Sequence, residues 1–205
     1  SLDRVSDPDF EHGTLPPYQP WWETAAYYYS QWMGYSPGDY FNDVVSRPMF
    51  ARWNHAGSGE DAIYVSWHSN GWAGVTRGTE SYVHNGETYP RTPGSTELQQ
   101  FVHQEMIHDI RAGWDANWTD RGMKQMNLGE LRMLYDENPD TRLPGVLLEI
   151  AFHDQPEDAA ALRNPRFNQL VARAIYQGIV RYFESNADTD LALAPEPPTH
   201  LRVQN

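Results

Sequence analysis

The segment PGVLLEIAF, residues 144–152, decides the fold. Its branched apolar residues form a run of strand length, and the run is broken only by the acid Glu149. A short and nearly continuous apolar run is typical of a strand that is covered on both faces. The segment therefore predicts a sheet that lies between layers of helices.

Strand-like and helix-like segments alternate around this run. Residues 62–67 indicate a second buried strand, and residues 95–113 and 165–184 carry apolar residues at the spacings of three and four that amphipathic helices show. This alternation predicts an α/β fold with a mixed, mostly parallel sheet flanked by helices. The other predicted elements are helices at 21–33, 39–55 (kinked or split at Pro48) and 156–163, a short strand at 79–84 and an extended segment near 122–126 in an otherwise irregular stretch.

Proline-rich segments at both ends set the predicted domain boundaries. Residues 1–20 contain four prolines and predict a lead-in segment, and residues 186–205 contain three and predict a linker towards a following domain. Residues 21–185 then form one domain, which is long enough for a well-formed core. Because the sequence starts at Ser1 without a methionine or a signal peptide, we expect it to be part of a longer protein.

Charge and composition narrow the classes of partner. The 205 residues have a formal net charge of −13, and a nucleic-acid partner is not expected because phosphate backbones bind basic surfaces. No run of about 18 apolar residues occurs, so no membrane span is predicted. The sequence has no cysteine, so a metal ion would have to bind histidine, aspartate or glutamate side chains.

Two reactive residues stand at or within the predicted strands. His68 directly follows the strand at 62–67, and Glu149 lies within the strand at 144–152. Sites in α/β sheets gather at strand ends, so the two side chains would meet if their strands are neighbours. A neutral imidazole binds Zn²⁺, and a carboxyl group whose pKa is raised by an apolar setting transfers protons near neutrality. The pair predicts a zinc hydrolase, with an ordinary hydrogen-bonded histidine as the alternative interpretation of His68.

The remaining histidines are weaker candidates for metal binding. His103 and His108 are five residues apart, which separates them around a helix, and we expect both on the helix surface. His55 fits a helix C-terminus, where a cation is favoured. His153 follows Glu149 by four residues and is a candidate for the rim of the same site, with a structural hydrogen bond as the alternative.

Three segments, in order, resemble the zinc-dependent N-acetylmuramoyl-L-alanine amidases, a family of cell-wall amidases. YVSWHSNGWAG, residues 64–74, resembles the family's strand followed by Ser-x-His-x-Asn. DRGMKQMNLGELRML, residues 120–134, resembles its Arg-Gly-x-Lys segment with a following Leu-Arg pair. Residues 144–183 resemble its Pro-x-Val-Leu-x-Glu strand and long terminal helix. Together the three segments make a specific match, although each alone is weak.

The resemblance implies a function and roles for individual residues. His68 would be a zinc ligand, and Glu149 would be the catalytic acid and base. Asn70 and Arg121 would be candidates for substrate binding. The implied fold is a three-layer sandwich, the implied cofactor is Zn²⁺, and the implied reaction is hydrolysis of the amide between N-acetylmuramic acid and L-alanine in peptidoglycan. Such enzymes work outside the cytoplasmic membrane.

Two metal ligands of the family have no clear counterpart in this sequence. His12 and Glu23 are candidates for additional ligands, but neither stands in the family's sequence context. On the other interpretation, the chain resembles the C-terminal portion of a larger multidomain variant, and the first strand and two zinc ligands precede Ser1. We would then expect further domains on both sides of this chain, poor zinc binding by the isolated 205 residues, and an isolated chain that can be inactive.

Two other functions remain open. A non-catalytic glycan-binding module, or a degenerate amidase, would bind sugars by stacking them on exposed aromatic side chains. The candidates for such stacking are Trp67, Trp72, Trp114 and Trp118. A metal-free sugar hydrolase would instead pair Glu149 with Glu130 or Asp154, and it would release reducing sugar rather than peptide.

Overall fold

A computed structural model describes residues 25–35, 43–58 and 61–186 of the chain. The strands are β1 (Tyr64–Asn70), β2 (Thr79–Val83), β3 (Asp120–Gln125) and β4 (Gly145–Phe152). The helices are α1 (Ala26–Trp32), α2 (Asp43–His55), α3 (Ser95–Gly113), α4 (Gly129–Arg132), α5 (Pro156–Leu162) and α6 (Pro165–Asn186), with a short 3₁₀ helix at Pro139–Thr141. The predicted lead-in segment and linker, and the candidate ligands His12 and Glu23, lie outside the described residues.

The four strands form one mixed sheet in the order β1-β4-β2-β3. β1 pairs with β4 in parallel, β2 pairs with β3 in parallel, and β2 and β4 are antiparallel. The predicted mixed and mostly parallel sheet is therefore confirmed. The carboxyl ends of β1 and β4 meet the amino ends of β2 and β3 at the same edge of the sheet, so four strands contribute residues there.

Helices cover both faces of the sheet. The larger core lies between one face and helices α3 and α6, and it contains the fully buried side chains of Val102, Val146 and Phe167. The smaller core lies on the other face, where Leu131 and Leu134 from the α4 region pack on Leu147. Because successive strand residues face opposite sides, Leu147 and Glu149 share this second face. The thinner cover on that side leaves room for a site beside Glu149.

Three predictions about the elements need correction. β1 runs to Asn70 rather than ending at residue 67, so His68 lies within the strand and not after it. Pro48 lies inside a continuous helix from Asp43 to His55 and does not split it. In residues 114–143, the extended segment predicted near 122–126 is β3, at Asp120–Gln125, and the part predicted as irregular also contains the short helix α4. These elements are short, and their pattern of apolar residues is weak because one face of β3 is exposed.

A glycine allows α3 and α6 to pack closely. A Cβ atom on Gly178 would lie 2.6 Å from the Cα atom of Val102 and 3.0 Å from the carbonyl oxygen of Phe101. We expect Gly178→Ala to lower the free energy of unfolding by about 1–3 kcal/mol, because the backbone of α3 must move even though alanine favours helix. Thermal or denaturant unfolding measures this change.

The matched control substitutes an exposed residue of the same helix. Ala172 is exposed on α6, so Ala172→Gly reports the intrinsic helix preference, which is about 1 kcal/mol. A Gly178→Ala protein that is more stable than wild type would contradict the close packing of the two helices.

Candidate active site

His68 and Glu149 are direct neighbours in the sheet. β1 and β4 are parallel, and His68 is in register with Glu149. Side chains at the same register position of paired strands project from the same face, so the imidazole and the carboxyl group lie side by side. The prediction that the two strands are neighbours is therefore confirmed, while a site shared by the two side chains, and their chemical roles, stay predictions.

The carboxyl group of Glu149 is buried without a complete set of hydrogen bonds. Its neighbours in the strand, Leu148 and Ile150, are fully buried, and its Oε2 atom has no hydrogen-bond partner among the described residues. Burial, with further contributions from the negative charges of Glu80 and Glu130, raises the pKa of Glu149 to about 7. A carboxyl group with this pKa can both accept and donate a proton near neutral pH.

The environment of His68 favours its neutral form. Burial lowers the pKa of His68, and this effect outweighs the opposing charge of Glu130. The Nε2 atom is hydrogen-bonded to the hydroxyl group of Ser66 at 2.9 Å, and this contact fixes the ring. No hydrogen bond joins its Nδ1 atom to a described residue. A neutral, oriented imidazole is the form that binds zinc.

Glu80 organises the same site, although it was not among the residues predicted from the sequence. Its carboxylate accepts hydrogen bonds from Asn70 Nδ2 at 2.8 Å, from the hydroxyl group of Tyr82 at 2.7 Å and from Arg121 Nε at 2.8 Å. Lys124 Nζ also donates to it. Burial acts to raise the pKa of Glu80, but the hydrogen bonds from Lys124, Tyr82 and Arg121 outweigh burial and hold it below its usual value.

The signal that could have identified Glu80 is the same one that identified Glu149. Glu80 lies in β2, whose five residues are all buried, and a buried acid in a strand is rare unless it is paired or functional. The strand was predicted, but its sequence TESYV has three polar residues in its first three positions. The acid therefore did not stand out against an apolar run as Glu149 did.

Asn70 and Arg121 both lie at this site. Asn70 bonds Glu80 through its amide nitrogen and accepts a hydrogen bond from the backbone of Gly71 at 2.8 Å. Arg121 occupies an irregular position in β3, where the register with β2 shifts by one residue and Gly122 adopts a φ of +86°. Such a bulge redirects a side chain, and here it brings the guanidinium group to Glu80.

A cavity of about 460 Å³ joins these residues into one site. Glu149, Glu80 and Arg121 contribute to its walls, and Trp72 lies at its rim with 70% of its surface exposed. The other lining residues are Asn70, Thr76, Tyr82, Lys124, Met126, Leu128 and Phe152. The cavity thus combines an unpaired carboxyl group, a buried ionic cluster and aromatic or apolar walls, which is the composition of a small-molecule or peptide site.

The described residues fit part of a zinc centre. His68 supplies one neutral imidazole, and the free Oε2 atom of Glu149 supplies a proton acceptor beside it. A catalytic zinc ion usually has three protein ligands and one open position. Within residues 25–35, 43–58 and 61–186, no group of three ligand-type side chains includes His68, so the remaining ligands would come from elsewhere. The donor chemistry therefore fits zinc, but the described part of the site supplies one ligand.

A second group of metal-type ligands lies on α3. Ligand atoms of Glu105, His108 and Asp109 lie within 4.8 Å of one another. However, Arg181 Nη1 lies 3.2 Å from Glu105 Oε2, so a guanidinium group already balances that carboxylate. α3 covers the face of the sheet opposite to Glu149, and this group is therefore separate from the candidate active site.

The prediction that His103 and His108 both lie on the helix surface is wrong for His103. His108 is exposed, but His103 is only 3% exposed and connects Ser81 Oγ with Asp120 Oδ1 at 2.9 Å each. The order Ser, His, Asp resembles a catalytic triad, but Ser81 is completely buried and no substrate can reach its hydroxyl group. These bonds instead join α3 to β2 and β3.

The tryptophans proposed for glycan stacking divide into two pairs. Trp118 is 2% exposed and Trp114 packs on the larger core, so both belong to the interior and this part of the prediction is wrong. Trp67 and Trp72 are 45% and 70% exposed. Only this second pair can present a ring to a ligand.

The other candidates lie on different sides of the site. Glu130 is close enough to act electrostatically on both His68 and Glu149. Asp154 accepts a hydrogen bond from the backbone of Gly74 at 3.0 Å and orders that loop. His153 bonds Ser69 Oγ at 3.2 Å, which is the structural alternative anticipated for it.

Comparison with known proteins identifies relatives. Residues 36–181 match the family model of N-acetylmuramoyl-L-alanine amidase. An uncharacterized cell wall amidase of Bacillus anthracis is 31% identical over 152 residues, which cover 69% of this chain and 26% of that protein. The N-acetylmuramoyl-L-alanine amidase CwlM of Bacillus licheniformis is 30% identical over 132 residues, which cover 64% of this chain and 45% of that protein. The chain spans less than half the length of these two curated relatives.

Solved structures share the fold. The N-acetylmuramoyl-L-alanine amidase of Clostridium difficile 630 aligns with a TM-score of 0.54 and 24% identity over 68% of this chain and 67% of that one. The amidase AmiC2 of Nostoc punctiforme aligns with a TM-score of 0.54 and 19% identity over 78% of each chain. Because the family model covers well over half of the residues, this chain belongs to the N-acetylmuramoyl-L-alanine amidase family.

Among the described residues, no helix combines the length and the apolar character needed to cross a membrane.

The raised pKa of Glu149 predicts a pH-dependent cost in stability. The folded state holds the proton up to about pH 7, whereas the unfolded chain releases it near the ordinary glutamate value. The wild-type protein therefore loses stability as the pH rises between these two values. In the presence of a chelator, we expect Glu149→Gln to be more stable than wild type at pH 8, by about 1–2 kcal/mol, and to lose this advantage below pH 4.

Denaturant unfolding at the two pH values measures this difference. The matched control is Glu137→Gln, because Glu137 is exposed and lies away from the cavity. A Glu149→Gln protein that is less stable than wild type at pH 8 would show that the carboxylate is stabilised rather than strained in the folded state.

Proposed function

We propose that this chain carries the site for zinc-dependent hydrolysis of the amide bond between N-acetylmuramic acid and L-alanine in peptidoglycan. The observation that carries the proposal is the register pair of His68 with Glu149, whose buried Oε2 atom has no partner among the described residues. Membership of the N-acetylmuramoyl-L-alanine amidase family supports the choice of bond and of substrate. Relatives named as cell wall amidases support a role outside the cytoplasmic membrane.

Each residue of the site has a distinct task in this reaction. His68 would hold the zinc ion, and zinc when bound there supplies Lewis acidity to the scissile carbonyl group. Glu149 accepts a proton from the attacking water molecule and then donates it to the nitrogen of the leaving L-alanine. The products are the lactyl carboxylate of the muramic acid and the free amino terminus of the stem peptide. Ser66 keeps the imidazole in the orientation that metal binding requires.

The alternative as a glycan-binding module depends on exposed aromatic rings. Trp72 at the cavity rim and Trp67 on β1 favour some contact with sugar or peptide. Neither ring explains why Glu149 has a buried oxygen atom without a hydrogen-bond partner among the described residues. A binding surface gains nothing from a carboxyl group with a raised pKa, so catalysis accounts for the site better.

The alternative as a metal-free sugar hydrolase depends on a second carboxylate. Glu130 is the better of its two candidates, because its charge acts on Glu149, whereas Asp154 orders the loop at Gly74. This mechanism would have no use for a neutral histidine next to the acid. The pairing of His68 with Glu149 therefore favours the metal-dependent amidase.

Activity on peptidoglycan separates these proposals. The assay uses the natural polypeptide that contains these residues, supplied with zinc, so that any ligands outside the described residues are present. We expect release of new L-alanine amino termini, and we expect Glu149→Gln to lower kcat by about 10²–10⁴ without loss of the fold, because the proton carrier is removed. Glu137→Gln should keep the wild-type rate.

Three results would contradict the amidase. Release of reducing sugar ends that resists chelators would indicate a glycosidase. Glycan binding without hydrolysis, unchanged by Glu149→Gln and by chelators, would indicate a binding module. Full activity of Glu149→Gln would remove the proposed proton carrier.

The zinc content of the 205-residue chain tests the metal centre. One imidazole holds zinc weakly, so we expect less than one zinc ion per chain after purification and dialysis, as elemental analysis would measure. Added zinc should bind reversibly, and His68→Ala should weaken this binding further, whereas His55→Ala, at the C-terminal end of α2, should leave it unchanged. Tight zinc at one ion per chain that survives dialysis would show that the chain itself supplies the other ligands.

A further inference from the structure

Resting on the proposed function, we propose that Arg121 selects muramyl peptides whose second stem residue carries a free α-carboxylate. The inference concerns the same cavity of about 460 Å³ that Glu149 lines. The guanidinium group of Arg121 would bind a negatively charged group of the substrate, next to the bond that is cut.

The guanidinium group of Arg121 is held in place but not fully used. Its Nε atom donates to Glu80 Oε2 at 2.8 Å, and its central carbon lies 5.2 Å from the centre of the Phe152 ring. Its two Nη atoms make no hydrogen bond to any described residue that the structure records, and the side chain is 32% exposed. An oriented guanidinium with two open donors binds carboxylates in a bidentate manner.

Lys124 does not compete for this role. Its ammonium group donates to Glu80 and lies 5.6 Å from the centre of the Tyr82 ring, so both neighbours hold it in the wall. In this cluster two cations share the single carboxylate of Glu80, so the guanidinium group of Arg121 is not fully neutralised. A guanidinium group of this kind on a cavity wall favours an anionic group of the ligand.

The backbone of β3 fixes the direction of Arg121. Asp120 accepts a hydrogen bond from the backbone of Gly122 at 2.8 Å and is bonded to the buried ring of His103 at 2.9 Å. These contacts hold the residues before and after Arg121 in place. The guanidinium group is therefore oriented before a ligand arrives, so little conformational entropy is lost when the ligand binds.

The order of the groups along the substrate matches the order of the strands at the cavity. In a stem peptide that begins L-Ala-D-isoglutamate, five bonds separate the nitrogen of the scissile amide from the α-carboxylate of the second residue. They span about 6 Å when extended. Glu149 and Glu80 are register partners on adjacent strands, and Arg121 lies beyond Glu80 on the next strand. A scissile amide at Glu149 thus places the carboxylate on the side of Arg121.

Two synthetic ligands isolate this single group. N-acetylmuramoyl-L-alanyl-D-isoglutamate has the free α-carboxylate, and N-acetylmuramoyl-L-alanyl-D-isoglutamine has a neutral amide in its place. We expect wild-type protein, with a chelator present to prevent turnover, to bind the acid at least about tenfold more tightly than the amide. Isothermal titration calorimetry on the 205-residue chain measures both affinities.

Variants assign the preference to Arg121. Arg121→Gln should reduce the ratio of the two affinities to within about threefold of one, because Glu80 keeps its bonds to Asn70, Tyr82 and Lys124 and the site stays ordered. Arg121→Lys should retain an intermediate preference. The matched control Arg166→Gln removes the same charge from an exposed position on α6 and should leave the ratio unchanged.

The outcomes distinguish this inference from the proposed function. Equal binding of both peptides by wild type would overturn the inference and leave the amidase proposal intact. The inference would also be overturned, with the amidase proposal intact, if Arg121→Gln kept the preference for the acid. The same conclusion would follow if Arg121→Gln lowered the affinity for both peptides by the same factor. Failure of wild type to bind either peptide would also overturn the inference, whereas the amidase proposal is tested separately, by the release of L-alanine amino termini by the natural polypeptide supplied with zinc.

Discussion

The buried carboxylate of Glu80 is the contact on which the arrangement of the site depends. Glu80 belongs to β2, and it accepts hydrogen bonds from Asn70 of β1 and from Arg121 and Lys124 of β3. It is also the register partner of Glu149 on β4. One side chain therefore connects all four strands at the edge where their ends meet. Removing it would leave two cations without a partner inside the sheet, which costs more than the pair contributes when intact.

Glu80 and Glu149 show how two neighbouring carboxyl groups acquire opposite properties. Glu80 has donors on every side and stays ionised, whereas Glu149 has an oxygen without a partner and a pKa of about 7. The fixed negative charge of Glu80 is one of the causes that raise the pKa of Glu149. Two carboxyl groups with separated pKa values mark an acid–base site in many enzymes. The folded state tolerates the unfavourable environment of Glu149 because the hydrogen bonds of Glu80 hold the neighbouring strands together.

The long, strongly patterned elements were predictable from the sequence. The apolar run around Val146 and the spacing of apolar residues in 95–113 and 165–184 fixed β4, α3 and α6, since these segments bury whole faces. His68 and Glu149 stood out because one directly follows a predicted buried strand and the other interrupts one. Elements with little buried surface, such as α4 and β3, carry a weak pattern and were missed or placed only approximately. The burial of His103 depends on two partners from other strands, which no local pattern reveals.

The direction of the strands explains why strand ends alone did not indicate Glu80, and why Arg121 became a candidate only through the family resemblance. Reasoning from the carboxyl ends of strands identifies residues on β1 and β4, which run in the same direction. β2 runs against β4, so at the same edge it contributes its first residues, and β3 follows β2. Glu80 and Arg121 therefore stand near the start of their strands. In a mixed sheet, a search for functional residues has to include both ends of every strand, because the antiparallel pair brings opposite ends to one place.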